Sequence, residues 1–378
     1  MSIEVHNTVV VQPAKTPTKA DARQHESYGA LVWRRLKRSW TGMIGLVLVC
    51  LLLFMAVFAD FLAPVDPKAT GVGFAPPQAI HITDRDGNFV SPRSYPLADG
   101  QDLDPITFQP VIGPDYDNPQ VLGLFVKGAP YHLFGLIPAE RHLIGAVDGT
   151  PVHFLGTDKF GRDVLSRIFY GSRISLMIAL TVVTIVTVIG TTVGMVSGYF
   201  GGRFDAWTQR LVELILAFPQ LPFYLALTSL IPVTAPTHVF IAFVILVMSG
   251  LGWAQMSREV RGKTLALARI DYVRAAIAVG ATDRRIIFQH ILPNVLSHVI
   301  VAVTLAIPSV VLLESFLGFL GFAVKPPLIS WGLMLQDTAT YSVIGSYPWI
   351  LSPVAFVLVT VFAFNALGDG LRDAVDPY

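Results

Sequence analysis

From Thr41 to Ala59 the chain reads TGMIGLVLVCLLLFMAVFA, without a single charged residue. A helix needs about 20 such residues to cross the hydrocarbon of a bilayer, where it alone among open structures satisfies its own backbone hydrogen bonds. This first stretch extends over 41–62, and comparable ones follow near 174–199, 211–233, 237–257, 297–322 and 346–367. The whole chain is 53% hydrophobic and 14% charged, against about 25% charged in a soluble domain. An integral membrane protein is therefore expected, all-α and polytopic, with six transmembrane helices. The net charge of +1 implies no global electrostatic partner, and nucleic acid is not expected as one.

The basic run WRRLKRSW, with Arg34, Arg35, Lys37 and Arg38, precedes the first span and should remain cytoplasmic. A cleaved signal peptide fits less well, because about 40 residues precede the apolar core and that core exceeds the usual h-region. Counting from an inside N-terminus places 64–172 outside, 200–210 inside, 234–236 outside, 258–296 inside, 323–345 outside and the C-terminus inside. The 258–296 loop carries Arg258, Arg261, Lys263, Arg269, Arg274, Arg284 and Arg285 against Glu259, Asp271 and Asp283. Its basic excess agrees with a cytoplasmic placement.

The chain divides accordingly into a polar tail and basic anchor (1–40), the first span (41–62), an extracytoplasmic insert (64–152) and a five-helix core (153–378) containing the 258–296 loop. In the insert, HITDRDGNFV is expected to form two short strands around Asp86-Gly87. QVLGLFVKG and PVHFLG are expected to add further strands, which makes the insert small and mainly β. In the second span, Gly190, Gly194 and Gly198 recur every four residues, a spacing that lets two helix backbones approach closely in lipid.

Recognisable enzyme chemistry is missing. RGKT (Arg261–Thr264) has the ending of a P-loop, but Ser257 stands where that motif needs a glycine, and an apolar helix replaces the preceding strand. Neither a Ser-His-Asp set, an HExxH motif nor paired cysteines appear. His132, His142 and His153 are read as loop or core residues, and Cys50 as a small hydrophobe packed in its span. Ionisable residues within spans are functional candidates. Glu213 lies near the cytoplasmic interface, and Glu314 lies deep in the fifth span. Glu314, with Phe316 and Phe319, either lines a solute path or, for the carboxylate, bonds another helix. The sparse intramembrane charge speaks against an ion-coupled transporter or self-contained channel, the rival reading.

The stretch DYVRAAIAVGATDRRIIFQHILPN (Asp271–Asn294) interrupts this apolar pattern. YVRAAIAV should form a helix with Ala275 and Ala276 together, and Gly280 can supply a left-handed C-terminal cap. Thr282 or Asp283 can cap a second helix, RRIIFQHI, with Pro293 before the next span. Two short helices at an angle make either an ordinary helical hairpin loop or a compact knob able to enter a groove on another protein.

Residues 274–293 resemble the EAA loop of ABC importer permeases, with Ala275, Ala276, Gly280, Leu292 and Pro293 in that family's spacing. Arg274 replaces the family glutamate and His290 stands at its isoleucine position; HILPN is similar to the dipeptide/oligopeptide permease branch. LGTDKFGRDVLSRIFYGSRISL (155–176), GYFGGRFD (198–205), LAFP (216–219), ESFLGFLGF with PPLISWG (314–332) and NALGDGLRDAVDP (365–377) resemble the same branch in order, while 64–152 is longer than its usual loop. The resemblance implies a type I importer permease fold and the C-type subunit. It implies a homologous permease as heterodimer partner, two cytoplasmic ATPase subunits, an extracytoplasmic binding protein, and a bacterial inner membrane with both termini cytoplasmic. ATP and Mg would be bound by the partner subunits, with no cofactor in this chain. The coupling surface it implies comprises Tyr272, Arg274, Ala275, Ala276, Gly280, Ala281, Asp283, Arg284, Arg285, His290, Leu292 and Pro293. On that reading, Gly280→Trp should leave folding intact yet uncouple transport. Peptides are the substrate expected from the branch, whose members also carry oligosaccharides, nickel complexes and opines.

Overall fold

The computed structural model describes residues 28–83, 88–103, 110–133, 135–232, 234–322 and 324–375. A short amphipathic helix, α1 (Tyr28–Leu36), leads into α2 (Trp40–Val57), which Ser39 caps by accepting a hydrogen bond from Gly42 N at 3.2 Å. A single turn, α3 (Ala59–Leu62), closes this first crossing. Long helices follow as α4 (Val164–Phe200), α7 (Thr237–Leu267), α9 (Asp283–Phe319) and α12 (Ser352–Val375). Short helices α10 (Trp331–Leu335) and α11 (Tyr341–Ser346) lie between the last two.

The third expected span departs from a straight helix. It is a bent pair, α5 (Gly202–Ala217) and α6 (Gln220–Ser229), folded by 82° at the break. Pro219 has no N–H to donate and disfavours the helical region at the residue before it, so Phe218 sits extended at φ −74°, ψ 134°. Among the described residues, five helices are long and apolar enough to cross a membrane, and six if the bent pair counts as one crossing.

The other crossings start earlier or run longer than their apolar cores. Helix α4 begins at Val164 because Asp163 caps it, accepting from Ser166 N at 2.7 Å, so the polar turns around Arg167 and Arg173 continue the span. Helix α9 begins at Asp283 rather than near residue 297, and α7 extends to Leu267. Cys50 is exposed, not packed: the buried face of α2 carries Gly42, Gly45, Val49, Leu52, Met55 and Ala56, and Cys50 falls outside it.

Tight helix pairing organises the core. Gly190, Gly194 and Gly198 of α4 lie against Met256, Ser257, Val260, Arg261 and Thr264 of α7, and a Cβ on Gly194 would stand 2.5 Å from the Ser257 carbonyl oxygen. A second small-residue contact, unanticipated from sequence, brings Gly42 and Gly45 of α2 against Gly370, Leu367 and Ala363 of α12. The larger apolar core joins α4, α7 and α9 through Ile178, Val244, Val260, Val295 and Leu317, and a second core joins α2, α4 and α12 through Leu52, Leu176, Val183 and Phe364.

The insert holds a four-stranded antiparallel sheet in the order β1 (His81–Thr83), β2 (Phe89–Ser94), β5 (Gln120–Leu133), β6 (Ile137–Ala146), and a separate β3 (Leu97–Leu103)/β4 (Pro110–Pro114) pair. Strands β1 and β2 are the expected pair, Thr83 opposite Phe89; the Asp86-Gly87 turn lies outside the described residues. PVHFLG (151–156) is not a strand. Its backbone instead caps the root of α4, with His153 N donating to the Gln78 side chain and Gly156 O accepting from Val164 N at 3.1 Å. The partner of β5 is β6, whose sequence alternates too weakly to be read as a strand.

Candidate functional site

The unit between α7 and the membrane part of α9 is a helical knob. Helix α8 (Asp271–Ala278) ends in a Schellman turn: Ala281 N donates to Ala276 O and Gly280 N to Ile277 O, each at 3.0 Å. Gly280 is the residue in the left-handed region, φ +84°. That conformation makes Gly280→Trp a strained substitution whatever the surface does, so Gly280 is a poor place to test coupling.

The second helix departs from the expected separate element. Thr282 caps it, its Oγ accepting from Arg285 N at 3.4 Å, and it runs unbroken into the next span. The passage is a π-helical turn over Ile286–Ile291, just before Pro293. A proline ring clashes with the carbonyl four residues earlier and removes one helical donor; a wider turn accommodates both defects.

Val273, Ile286 and Ile291 are fully buried and join the core of α4, α7 and α9, so the knob is rigidly continuous with the spans. Its base is tied by Asn294 Nδ2, which donates to Tyr272 OH at 3.2 Å and His290 O at 2.7 Å. Tyr199, at the end of α4, donates to Asp283 Oδ1 at 2.7 Å. Tyr272, Arg274, Ala275, Gly280, Asp283, Arg284, Arg285 and Pro293 are exposed, whereas Ala276, Ala281, His290 and Leu292 are half-buried. The tip is apolar and open: Ile277 is 50% and Val279 85% exposed. Beside it, Thr282, Arg284, Arg285, Phe288 and Gln289 line an open groove.

Sequence reasoning missed the brace beneath this knob. Arg261 of α7 donates from Nε and Nη2 to the two carboxylate oxygens of Asp205, each at 2.5 Å, and Ser197 bonds the same carboxylate. This bidentate pair fastens the turn between α4 and α5 to the helix that leads into α8. Arg261, the first residue of RGKT, is thus a helix-to-helix fastener inside α7.

Of the two roles open to Glu314, the structure shows the helix-to-helix bond. Its side chain is fully buried, and Ser175 Oγ donates to Glu314 Oε2 at 2.9 Å while accepting from Trp331 N at 3.1 Å. One hydroxyl thereby links α4, α9 and α10. Phe316 is exposed and Phe319 half-buried, on other faces of α9. Ser175→Ala should orphan the Trp331 N–H and a carboxylate oxygen together, at a cost of about 1–3 kcal/mol. Thermal unfolding of the purified variant should show a clearly lowered midpoint, and an unchanged one would remove this link from the stability of the fold.

Fold and site together define a class: a multi-pass membrane protein whose long helices are joined, through buried side chains, to an exposed helical knob. Residues 190–378 match the family model for the inner membrane component of binding-protein-dependent transport systems, and residues 27–77 match the N-terminal transmembrane domain of oligopeptide transport permease C. The oligopeptide transport system permease protein OppC of Haemophilus influenzae is 42% identical over 226 residues, which cover 60% of this chain and 70% of that protein. OppC of Escherichia coli K12 is 44% identical over 226 residues, covering 60% and 72%. The dipeptide transport system permease protein DppC of Bacillus subtilis is 37% identical over 257 residues, covering 68% and 77%. The chain belongs to the family of binding-protein-dependent transport system inner membrane components. It is a membrane permease subunit of an ABC importer rather than the ATPase subunit.

Proposed function

We propose that this permease subunit forms, with a homologous permease, the translocation path for peptides or similar small solutes, and that the knob at 271–294 is where an ATPase subunit drives it. Two ATPases would bind ATP and Mg in the cytoplasm, and a binding protein would deliver solute on the opposite side, with both termini of this chain cytoplasmic. The observation that carries the reading is the pairing of an exposed apolar tip, Ile277 and Val279, with a base buried among the spans, Val273, Ile286 and Ile291. A tip free to enter a groove can receive a displacement, and a base packed into α4, α7 and α9 must pass it on, because packed interiors do not compress.

Alternating access then requires the ATPase surface to prefer one state of the helices, since a partner shifts an equilibrium only through differential affinity. Arg274 is exposed on the first helix of the knob, so a matching ATPase surface would offer it an acid or a carbonyl. The peptide assignment follows the named relatives. Cysteine substituted at Ala275 or Ala278, both exposed, tests the reading. In a Cys50→Ser background, a short bifunctional reagent should join either position to a co-purifying ATPase subunit, with a yield that changes on adding ATP. Crosslinking that is absent at both positions, in a complex that still transports, would sink it.

A further inference from the structure

Helix α1 has an inward face that the bundle explains and an outward face that it does not. Val32 and Leu36 turn inward and join the core that α2 shares with α12. Leu36 lies against both Gly42, in the first turn of α2, and Gly370 of α12, and Arg35 Nη1 donates to Ala374 O at 3.4 Å. These contacts hold the end of α1 level with the start of the span, where the charge-free run begins at Thr41. Helix α2 runs opposite to α4, because Arg173 near the start of α4 donates from Nε to Ala56 O near the end of α2 at 3.0 Å. Helix α1 therefore lies at the end of the bundle toward which α4 runs, the end that carries the knob.

The outward face is aromatic and basic. Trp33 is 46% exposed, and Trp40, the first residue of α2, is 78% exposed. Arg34, Lys37 and Arg38 are exposed between them. Lys37 Nζ stands 5.0 Å from the centre of the Trp33 ring, which places that cation and that ring on one side of the joint. Among the described residues, no carboxylate pairs with Lys37 or Arg38. Asp369 and Asp373, on the adjoining turns of α12, are exposed, and the chain has no acidic residue from Tyr28 to Ala59. Beyond Trp40, Val47, Leu51 and Phe54 continue along α2 as exposed apolar side chains at the spacing of one helix face.

Read from Phe54 back to Lys37, this surface passes from an apolar stripe to a tryptophan and then to cations. That is the order of environments met on leaving a bilayer: acyl chains, interface, phosphates. A groove on another protein has no need of that order, and the cores of protein interfaces are depleted in lysine. Clusters of four to eight basic residues directly beside a membrane helix attract anionic lipid, and this joint carries four, Arg34, Arg35, Lys37 and Arg38.

We infer that the joint between α1 and α2 binds an anionic phospholipid of the leaflet at the knob end. Lys37 and Arg38 hold its phosphate, and an acyl chain lies along Trp40 and Val47. Such a lipid steadies the contact between α2 and α12, since it grips the helix that Leu36 and Arg35 fasten to α12. This inference rests on the membrane spans and not on the solute path or the ATPase contact proposed above.

The full chain with its co-purifying subunits can be titrated in detergent with dioleoyl phosphatidylglycerol, and separately with dioleoyl phosphatidylcholine and with glycerol phosphate. Bound lipid is read by native mass spectrometry and its effect by the thermal midpoint. Phosphatidylglycerol should bind more tightly than phosphatidylcholine and raise the midpoint further, and glycerol phosphate should do neither. Lys37→Gln with Arg38→Gln should weaken phosphatidylglycerol binding roughly 25-fold, about five-fold for each charge removed, and leave the midpoint without added lipid unchanged. Lys37→Arg with Arg38→Lys keeps both charges and should keep the preference. Equal response to the two lipids would overturn the site, as would a preference that survives both glutamines or one lost when the charges are kept. Glycerol phosphate matching the lipid would mean a free-anion site, and no binding to the unaltered complex would mean that a protein surface covers this face; either result also overturns it.

Discussion

Replacing Gly194 by valine should separate α4 from α7 and cost about 3 kcal/mol or more, the upper part of the range for overpacking a rigid contact. The reason is what the new side chain meets. Its Cβ would fall 2.5 Å from the Ser257 carbonyl oxygen, 2.9 Å from Val260 Cβ and 3.1 Å from the Arg261 backbone nitrogen. Two of those three atoms are backbone, so no rotamer change relieves the clash; the helices themselves must part. Parting them also strains the bond of Arg261 to Asp205, which sits at the start of α5 and is held to the end of α4 by Ser197. Loss of folded protein during purification, or a thermal midpoint lowered by several degrees, is the expected reading. Gly250→Val on α7, where an added Cβ meets nothing within 4 Å, should leave the midpoint almost unchanged. Equal midpoints for the two variants would show that the close approach of α4 and α7 contributes little.

Val279→Glu is expected to leave the chain folded and abolish its work. Val279 is 85% exposed and follows the last helical turn of α8, so a carboxylate there costs the free chain almost nothing. Seated in a groove on an ATPase, the same carboxylate would be desolvated without a partner, a penalty of about 3 kcal/mol or roughly 100-fold in the association constant. Solute uptake should fall to background while the amount of permease in the membrane stays normal. The decisive comparison is ATPase co-purification: retained subunits together with normal uptake would move the coupling contact away from this tip. Gly280 does not serve, since its positive φ mixes strain with surface chemistry.

The readable part of this molecule was the part governed by short-range rules. Apolar runs of membrane length announced the spans. Gly280 announced a left-handed cap, and the structure forms one at φ +84°. The spacing of Gly190, Gly194 and Gly198 marked a face, although only the fold shows that α7 fills it. The third apolar run reads as one span, and only the structure shows the 82° fold at Pro219.

Other features had no local signature. Asp205 and Arg261 are 56 positions apart, and Ser175 and Glu314 are 139 apart. Nothing in either neighbourhood says that the carboxylate of Glu314 ends in a closed bond with Ser175 rather than along an open path. Strand β6 was invisible because its alternation is weak, and PVHFLG was misjudged because its β-forming residues are used in backbone contacts at the root of α4.

Taken alone, the sequence determined that the chain must lie in a membrane, roughly where it crosses, and that a small polar knob separates two crossings. Those properties follow from transfer of side chains out of water and from the φ each residue tolerates, both of which act within a few residues. Tertiary structure alone decided which helices touch, that Arg261 braces the turn after α4, that Glu314 bonds Ser175 across the bundle, and that β5 and β6 pack on α3. Each of these joins residues far apart in the chain. Their positions are set by packing and hydrogen-bond satisfaction across the whole bundle, which no local stretch encodes.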